Sequence, residues 1–339
     1  MAAPVNAPLD LGGIEAEIAR VREREASPFG GGAKANLFNL VIVSLAGART
    51  GAAQEALLGR RPARIIRLAV GEPSPGEASV SGSCSPDALE RGVCLEEIEL
   101  PARGDPLAIG AGAWTPLLDR DIPTLFWIAG PWMPEPRPAF AYADKLIVDS
   151  SPVDEPLSTL AALHELRLSM RGRLTVADLA WSRLRPLRVH TARAFDPPEA
   201  RDALTGLAEI RLEGGTSSEA LLFFLWLAAR LGWQATAGSD GPSFRDAAGI
   251  PLATVHDAPA PLVQGARLAF ASRAGMRLAI TCSESGCASV GDERSPWRIA
   301  SDAELLLEEV DSLTQDAVFG EVLAVAGAAQ RGPTRGSTA

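Results

Sequence analysis

The chain has 339 residues, 47% hydrophobic and 22% charged, a composition that excludes a disordered or collagen-like polymer. At about 100–200 residues per domain the length predicts two domains, and a chain of this size buries ~75% of its unfolded surface, so its core needs no covalent staple. The 32 Lys and Arg against 42 Asp and Glu leave a net charge of −10, which opposes phosphate backbones and anionic lipid and removes nucleic acid from the expected partners. The opening MAAPVNAPLDLGG lacks the basic and apolar regions of a leader. The longest apolar run, 220–229, is far short of the ~20 residues that span a bilayer. The expectation is a cytoplasmic protein with no membrane partner.

Ile14, Ile18 and Val21 sit at i, i+4 and i+7 among charges and predict an amphipathic helix. The SPFGGG that follows ends it, so 1–35 reads as an N-terminal helix and linker. NLFNLVIVSLAGA then predicts a buried strand, GAAQEALLGR a turn and helix, and RPARIIRLAV a second strand. The stretch 71–92 is rich in Gly, Pro, Ser and acids and predicts a surface excursion. VCLEEIEL alternates imperfectly and reads as an edge strand with a bulge, PLAIGAGAWTPLL as a short helix, and IPTLFWIAG and ADKLIVDSS as two more strands. Residues 36–150 are therefore expected to form the α/β N-terminal domain, a mostly parallel, doubly wound sheet.

A helical connector is expected over 151–199: Leu160, Leu163, Leu166 and Met170 share helical spacing, and LTVADLAWSRLRPLRVHTARAF is a second helical stretch broken at Pro186. A C-terminal α+β domain follows at 200–326. It opens with the strand LAEIRLEGG and the helix SSEALLFFLWLAARLGW, capped by Ser217 or Ser218 and by Gly232 and apolar enough all round to require burial. Alternating runs at WQATAGS, IPLATVHDA, ARLAFASRAG and MRLAITCSE predict an antiparallel meander. Ser301 and Glu304 form a capping box for a last helix with Leu306, Val310, Leu313 and Ala317 as its buried stripe. Residues 327–339 are expected to be a disordered tail.

Motifs for chemistry are sparse. The sequence has no G-x-S-x-G, no phosphate-loop G-x-x-x-x-G-K-[ST], and no G-x-G-x-x-G after a strand. Gly30, Gly31, Gly32 and Lys34 precede the first strand instead of following it and read as linker. His164-Glu165 lacks the second histidine of a zinc protease, because Leu168 stands there. His190 and His256 have no motif around them. Asp119, Asp121, Asp149, Asp154 and Glu155 flank predicted strands, where open α/β sheets hold ligands, although acids beside prolines also end turns. Glu213 to Ser218 could offer backbone N–H groups to an anion, or could simply cap the helix they precede. Cys84 with Cys94, and Cys282 with Cys287, are candidate redox thiols; free thiols are the plainer reading in a reducing cytosol, and the spacing is poor for zinc. No metal or cofactor is expected.

DLAWSRLRPLR is the most unusual segment. Trp and Arg are the residues most enriched at protein interfaces, so Trp181, Arg183, Arg185 and Arg188 are the candidate partner-binding residues. The competing reading packs Trp181 in the core and pairs the arginines with local acids.

NLFNLVIVSLA, GRRPARIIRL, VCLEEIEL, WTPLLDRDIPTLFW, ADKLIVDSS and DLAWSRLRPLR, followed by LFFLWLAARLGW, resemble in content and order the OpcA-type glucose-6-phosphate dehydrogenase assembly proteins. The resemblance covers roughly residues 36–233, and Leu187 departs from it where a second tryptophan is expected. It implies a non-catalytic activator that binds glucose-6-phosphate dehydrogenase and promotes its active oligomer in the oxidative pentose phosphate pathway. The alternative expectation is a sugar-phosphate- or nucleotide-binding enzyme on a Rossmann-like sheet, for which Gly47 and Gly51 offer a thin phosphate turn.

Overall fold

The structure, a computed structural model, describes residues 5–7, 11–26, 28, 35–45, 50–70, 78–86, 92–102, 107, 114–132, 134–238, 241–291 and 293–332. The glycine run 30–32 with Lys34, the turn residues 46–49, most of the expected helix at 106–118, and residues 333–339 of the expected tail lie outside them, while 327–331, expected in that disordered tail, are helical.

The first half contains β1 (Val5–Ala7), α1 (Leu11–Ala26), β2 (Phe38–Ser44), α2 (Gly51–Leu57), β3 (Ala63–Val70), β4 (Ala78–Pro86), β5 (Gly92–Ala102), β6 (Thr124–Ala129) and β7 (Lys145–Val148). After α3 (Pro156–Ser169) comes β8 (Thr175–Asp178), which completes an eight-stranded sheet in the order β1-β4-β5-β3-β2-β6-β7-β8. The run from β5 to β8 is parallel, and β4 and β1 add on antiparallel. Buried on both faces, β2 reads as a continuous apolar run, and its period of two sends Val41 and Val43 to one core and Leu40 and Ile42 to the other. The first core receives α1 through Ile14, Ile18 and Val21. The second receives Ala56 and Leu57 of α2, together with Leu305 and Leu306 from near the C-terminus.

The chain continues with α4 (Leu179–Arg183), α5 (Arg185–Ala194), α6 (Pro198–Ala203), β9 (Leu207–Glu213) and α7 (Ser217–Leu231). The strands β10 (Gln234–Thr236), β11 (Ser243–Arg245), β12 (Pro251–Asp257), β13 (Gly265–Ser272), β14 (Arg277–Ser283), β15 (Cys287–Val290) and β16 (Glu293–Pro296) join β9 in a second sheet, ordered β10-β11-β12-β9-β13-β14-β15-β16. It is mixed: of the runs expected as an antiparallel meander, β13 and β14 pair antiparallel and continue into β15 and β16, but β12 runs parallel to β9. Two helices close the chain, α8 (Asp302–Val310) and α9 (Ala317–Arg331). α7 and α9 pack together and α9 lies along α3, while α8 crosses back onto α2. One hydrophobic cluster contains Val41 of the first sheet, Phe223 of α7 and Phe270 of the second sheet. No helix among the described residues is long and apolar enough to cross a membrane.

Several expectations are corrected. Residues 78–86, expected within a surface excursion, form β4, because Ala78, Val80 and Gly82 alternate inward behind a Ser-rich exterior. Gly82 permits the approach of α1, since a Cβ there would stand 2.4 Å from Val21 Cγ1. β5 is an interior strand paired on both sides in unbroken register, not a bulged edge; the apparent irregularity is Glu96, buried but paired with Arg64 at 3.0 Å. TVAD, expected as helix, is β8, and Pro186 falls in the first turn of α5, where its missing N–H costs nothing. Thr216, not Ser217 or Ser218, caps α7, in a capping box with Glu219, while Gly232 ends that helix at φ 67° as expected. The expected last helix is two: α8 starts at the foreseen Ser301 box but stops at Val310, leaving Leu313 43% exposed, and Asp316 starts α9.

The turn between α8 and α9 is held by a buried cation. The Lys145 ammonium, on a side chain 1% exposed, donates to the Glu309 and Ser312 carbonyls at 2.6 and 2.7 Å and to Glu309 Oε2 at 2.7 Å. Breaking such a pair from one side leaves desolvated acceptors, at a cost of ~3–5 kcal/mol. Lys145→Met is therefore expected to lower the unfolding free energy by that amount, read as a lower urea midpoint at an unchanged denaturant slope.

Candidate functional site

In open α/β sheets the carboxyl ends of the strands are where ligands bind. Here Asp149 directly follows β7 and Asp178 is the last residue of β8. Asp178 is wholly buried, and its Oδ1 accepts from the backbone N–H groups of Ser150 and Ala180, both at 3.0 Å. Burial, reinforced by the Asp149 charge, pushes its carboxyl up to about 7. Oδ2 of Asp178 and the Ser150 hydroxyl have no hydrogen-bond partner among the described residues.

Arg183 closes the space above these strand ends. Its guanidinium donates to Asp149 at 3.0 Å, Ser151 Oγ at 2.7 Å, Glu219 at 3.1 Å and Asp302 at 3.0 Å. Burial pushes the Asp149 carboxyl up, but the Arg183 charge and hydrogen bond, with the Ser151 bonds, outweigh it and hold the group below the usual carboxylate range. Burial alone would weaken the Arg183 cation; the charges of Asp149 and Glu219 and the hydrogen bonds that Arg183 donates to Asp149 and Asp302 reverse that and raise it. Glu219 also accepts from the Thr216 N–H at 2.8 Å, so the protein's own carboxylate takes the place at the α7 N-terminus that an anion would use. The anion site considered for Glu213 to Ser218 is thus a capped, internally neutralised helix start.

Trp181, two residues before Arg183 on α4, is 2% exposed. Its indole N–H donates to Asp316 Oδ2 at 2.8 Å, and its ring stacks on Phe319 with centroids 5.5 Å apart. Oδ1 of Asp316 caps α9 through Val318 and Phe319, so one carboxylate joins α4 to the final helix. The Arg188 guanidinium lies 3.3 Å from the Trp181 ring centroid. Burial pulls Arg188 down to about 10, which leaves it charged at neutral pH. Arg185 is half-exposed and pairs with Glu308 at 2.7 Å. Of the two readings of this segment, Trp181 follows the core one, because Asp316, 135 residues away, supplies the polar partner that burying an indole demands.

The other candidates are structural. His164 is buried in α3 against Gly327 of α9, whose own Cβ would fall 2.6 Å from the ring. His190 meets Ser295 and the Pro296 carbonyl at 3.2 Å, and His256 meets the Gly214 carbonyl at 3.2 Å. Cys84 and Cys94 are directly opposed on β4 and β5 and joined as a disulfide, which corrects the plainer expectation of four free thiols. Cys282 and Cys287 are free; burial, with Cys287 nearby, pushes the Cys282 thiol up to about 12. No group of three or more metal-ligating side chains occurs among the described residues. Asp316, Glu219, Asp302 and Lys145 were not singled out from sequence; the polar run DSLTQD before Asp316 was the available signal for a cap.

Two predictions follow from the geometry. Arg183→Ala is expected to cost ~3–5 kcal/mol, because it strands buried carboxylates, whereas Arg185→Ala breaks an exposed pair and is expected to cost under ~1 kcal/mol; denaturant melts of both variants measure this. Since Asp178 has a folded-state carboxyl raised from 3.8 to about 7, the native state holds its proton more tightly than the unfolded chain. Its contribution favours folding at acid pH and is lost as pH rises toward 7. Asp178→Asn keeps the oxygen that accepts the two backbone N–H groups, so the gain in stability of wild type over pH 7.5 to 5.5 is expected to shrink in the variant.

Comparison with known proteins places the chain. Residues 54–165 match the family model described as glucose-6-phosphate dehydrogenase subunit N-terminal domain, and residues 174–323 match its C-terminal counterpart. Among curated proteins, an OxPP cycle protein OpcA of Synechocystis sp. is 32% identical over 201 residues, which is 56% of this chain and 41% of that one. The OpcA of Nostoc punctiforme is 34% identical over 188 residues, 52% of this chain and 39% of that one. The matched part thus spans about two fifths of these relatives. Solved structures of similar fold include an oxidoreductase domain protein from Kribbella flavida (10% identity, TM-score 0.46, 86% of this chain and 95% of that one). Another is the biliverdin reductase of Synechocystis (11% identity, TM-score 0.41, 86% and 97%). With both halves matched in order, the chain belongs to the OpcA-type glucose-6-phosphate dehydrogenase assembly protein family.

Proposed function

We propose that this chain is an assembly factor that binds glucose-6-phosphate dehydrogenase, favours its active oligomer in the oxidative pentose phosphate pathway, and does no chemistry of its own. The observation that carries the reading is the state of the strand ends. Where an α/β enzyme would hold substrate, the guanidinium of Arg183 is saturated by Asp149, Ser151, Glu219 and Asp302. A cation already committed to four internal acceptors has little left to offer a phosphate. The partner contact is assigned to the outer side of α5: Trp181 and Arg183 act from behind as its support, and Arg185 and Arg188 stand toward the partner.

An activator that works by binding shifts an enzyme only by its preference for the active state, and each ~1.4 kcal/mol of preference shifts the equilibrium tenfold. Titrating the purified chain into its cognate dehydrogenase is expected to raise the rate or lower the half-saturating sugar phosphate, with a matching rise in mass by light scattering. The chain alone is expected to reduce no NADP. An unchanged rate, half-saturation and mass at saturating protein would overturn the proposal.

A further inference from the structure

Beside the buried arginine cluster, α5, α6, α7 and α9 enclose an open groove of about 630 Å³. Its floor is apolar, with Val189 of α5, Leu204 after α6, and Trp226 and Leu231 of α7. Val189 is 41% exposed, and the other three are half-buried. Four of its lining residues are arginines, Arg185, Arg188, Arg201 and Arg230, and none is an acid. In a chain of net charge −10 this is a local reversal of sign. An apolar floor within a border of one charge is the signature of a surface made for a complementary partner.

The arginines differ in how firmly they are held. Arg185 and Arg230 make exposed pairs with Glu308 and Glu321, which are worth little and exchange readily for a partner's carboxylate. The Arg201 side chain donates only to the Asp196 carbonyl among the described residues. Arg188 has no carboxylate within ion-pair distance among the described residues; it is held by the Trp181 ring and the Trp181 carbonyl, with its Nε unpartnered. Trp181 thereby fixes a guanidinium at the groove wall before any partner arrives, which removes part of the ordering cost of binding.

The geometry points to this groove as the docking site for an acidic segment of glucose-6-phosphate dehydrogenase that inserts two or more apolar side chains between carboxylates. The inference rests on the assembly-factor reading above and adds the surface and the chemistry of the segment. A basic or neutral segment would bring no carboxylate into ion-pair distance of Arg188 and Arg201. A purely polar one would leave Trp226 and Val189 wet.

The test uses the full chain and the purified cognate dehydrogenase. Val189→Glu and Arg201→Glu, both at exposed positions, are expected to keep the wild-type thermal midpoint and to weaken binding by about tenfold or more, as loss of a central apolar or arginine contact does. Val263→Glu, at a 60% exposed position outside the groove, is expected to bind like wild type. Raised salt should weaken wild type more than Arg201→Glu. A photocrosslinking residue at 189 is expected to capture a dehydrogenase peptide rich in Asp and Glu. If wild type binds and both groove variants bind equally well, the groove is overturned and the assembly role stands. If wild type does not bind the dehydrogenase, both fall. A crosslinked peptide without acids, or a wild-type self-dimer that Val189→Glu dissociates in light scattering, overturns the acidic occupant.

Discussion

One guanidinium fixes how the two halves of this molecule meet. Arg183 leaves α4 at the end of β8 and reaches Asp149 at the end of β7, Glu219 at the start of α7 and Asp302 at the start of α8. Those three carboxylates come from the first sheet, from the helix beneath the second sheet, and from the helix that returns to the first. Removing two or three charges from water is costly, and the arrangement is tolerable only because each acceptor is met by a donor in a planar fork. Glu219 meets Arg183 with one oxygen and its own helix start with the other, so capping and tertiary pairing are a single device.

The same economy recurs nearby. Asp316 caps α9 with one oxygen and holds Trp181 with the other, and Lys145 gathers the Glu309 and Ser312 carbonyls that end α8 and its turn. Lys145 of the first sheet thus satisfies carbonyls that the end of α8 and its turn would otherwise leave unpaired, and Trp181 of α4 anchors the carboxylate that caps α9. This is why α8 can stop at Val310 and α9 begin at Asp316 with so short a link between them. The cost is borne by Asp178, which keeps an unpartnered oxygen in the core and a carboxyl pushed up toward neutrality.

What could be read from sequence was whatever is decided locally. The buried strands β2, β3, β6 and β7, the stripe of α1, the capping box at Ser301 and the all-round apolar α7 each follow from spacing within a dozen residues. β4 escaped because its outward serines and an inward glycine imitate a loop, and β8 escaped because four residues running straight into a helix leave no room for a period to show. The split between α8 and α9 was masked by Leu313 and Ala317, which fall on the helical stripe yet are exposed. The disulfide depended on β4 and β5 lying in register, which composition does not disclose.

The segment 178–188 shows where sequence reasoning meets its limit. Tryptophan and arginine are favoured both at interfaces and in buried ion clusters, for the same reason: a large rigid face and a planar charged fork lose little freedom when fixed. What separates the two uses is how many acids come within reach, and for Arg183 those acids stand 34, 36 and 119 residues away. Arg183 met them and became internal. Arg188, five residues on, met a ring instead and stands at the edge of an apolar groove with no carboxylate in ion-pair distance among the described residues. A sequence gives both arginines the same letter. The difference lies in which side of α4 and α5 the last helices pack against, and that is settled by the cluster at Arg183, so the residues that close the strand ends also determine which arginines are left to face a partner.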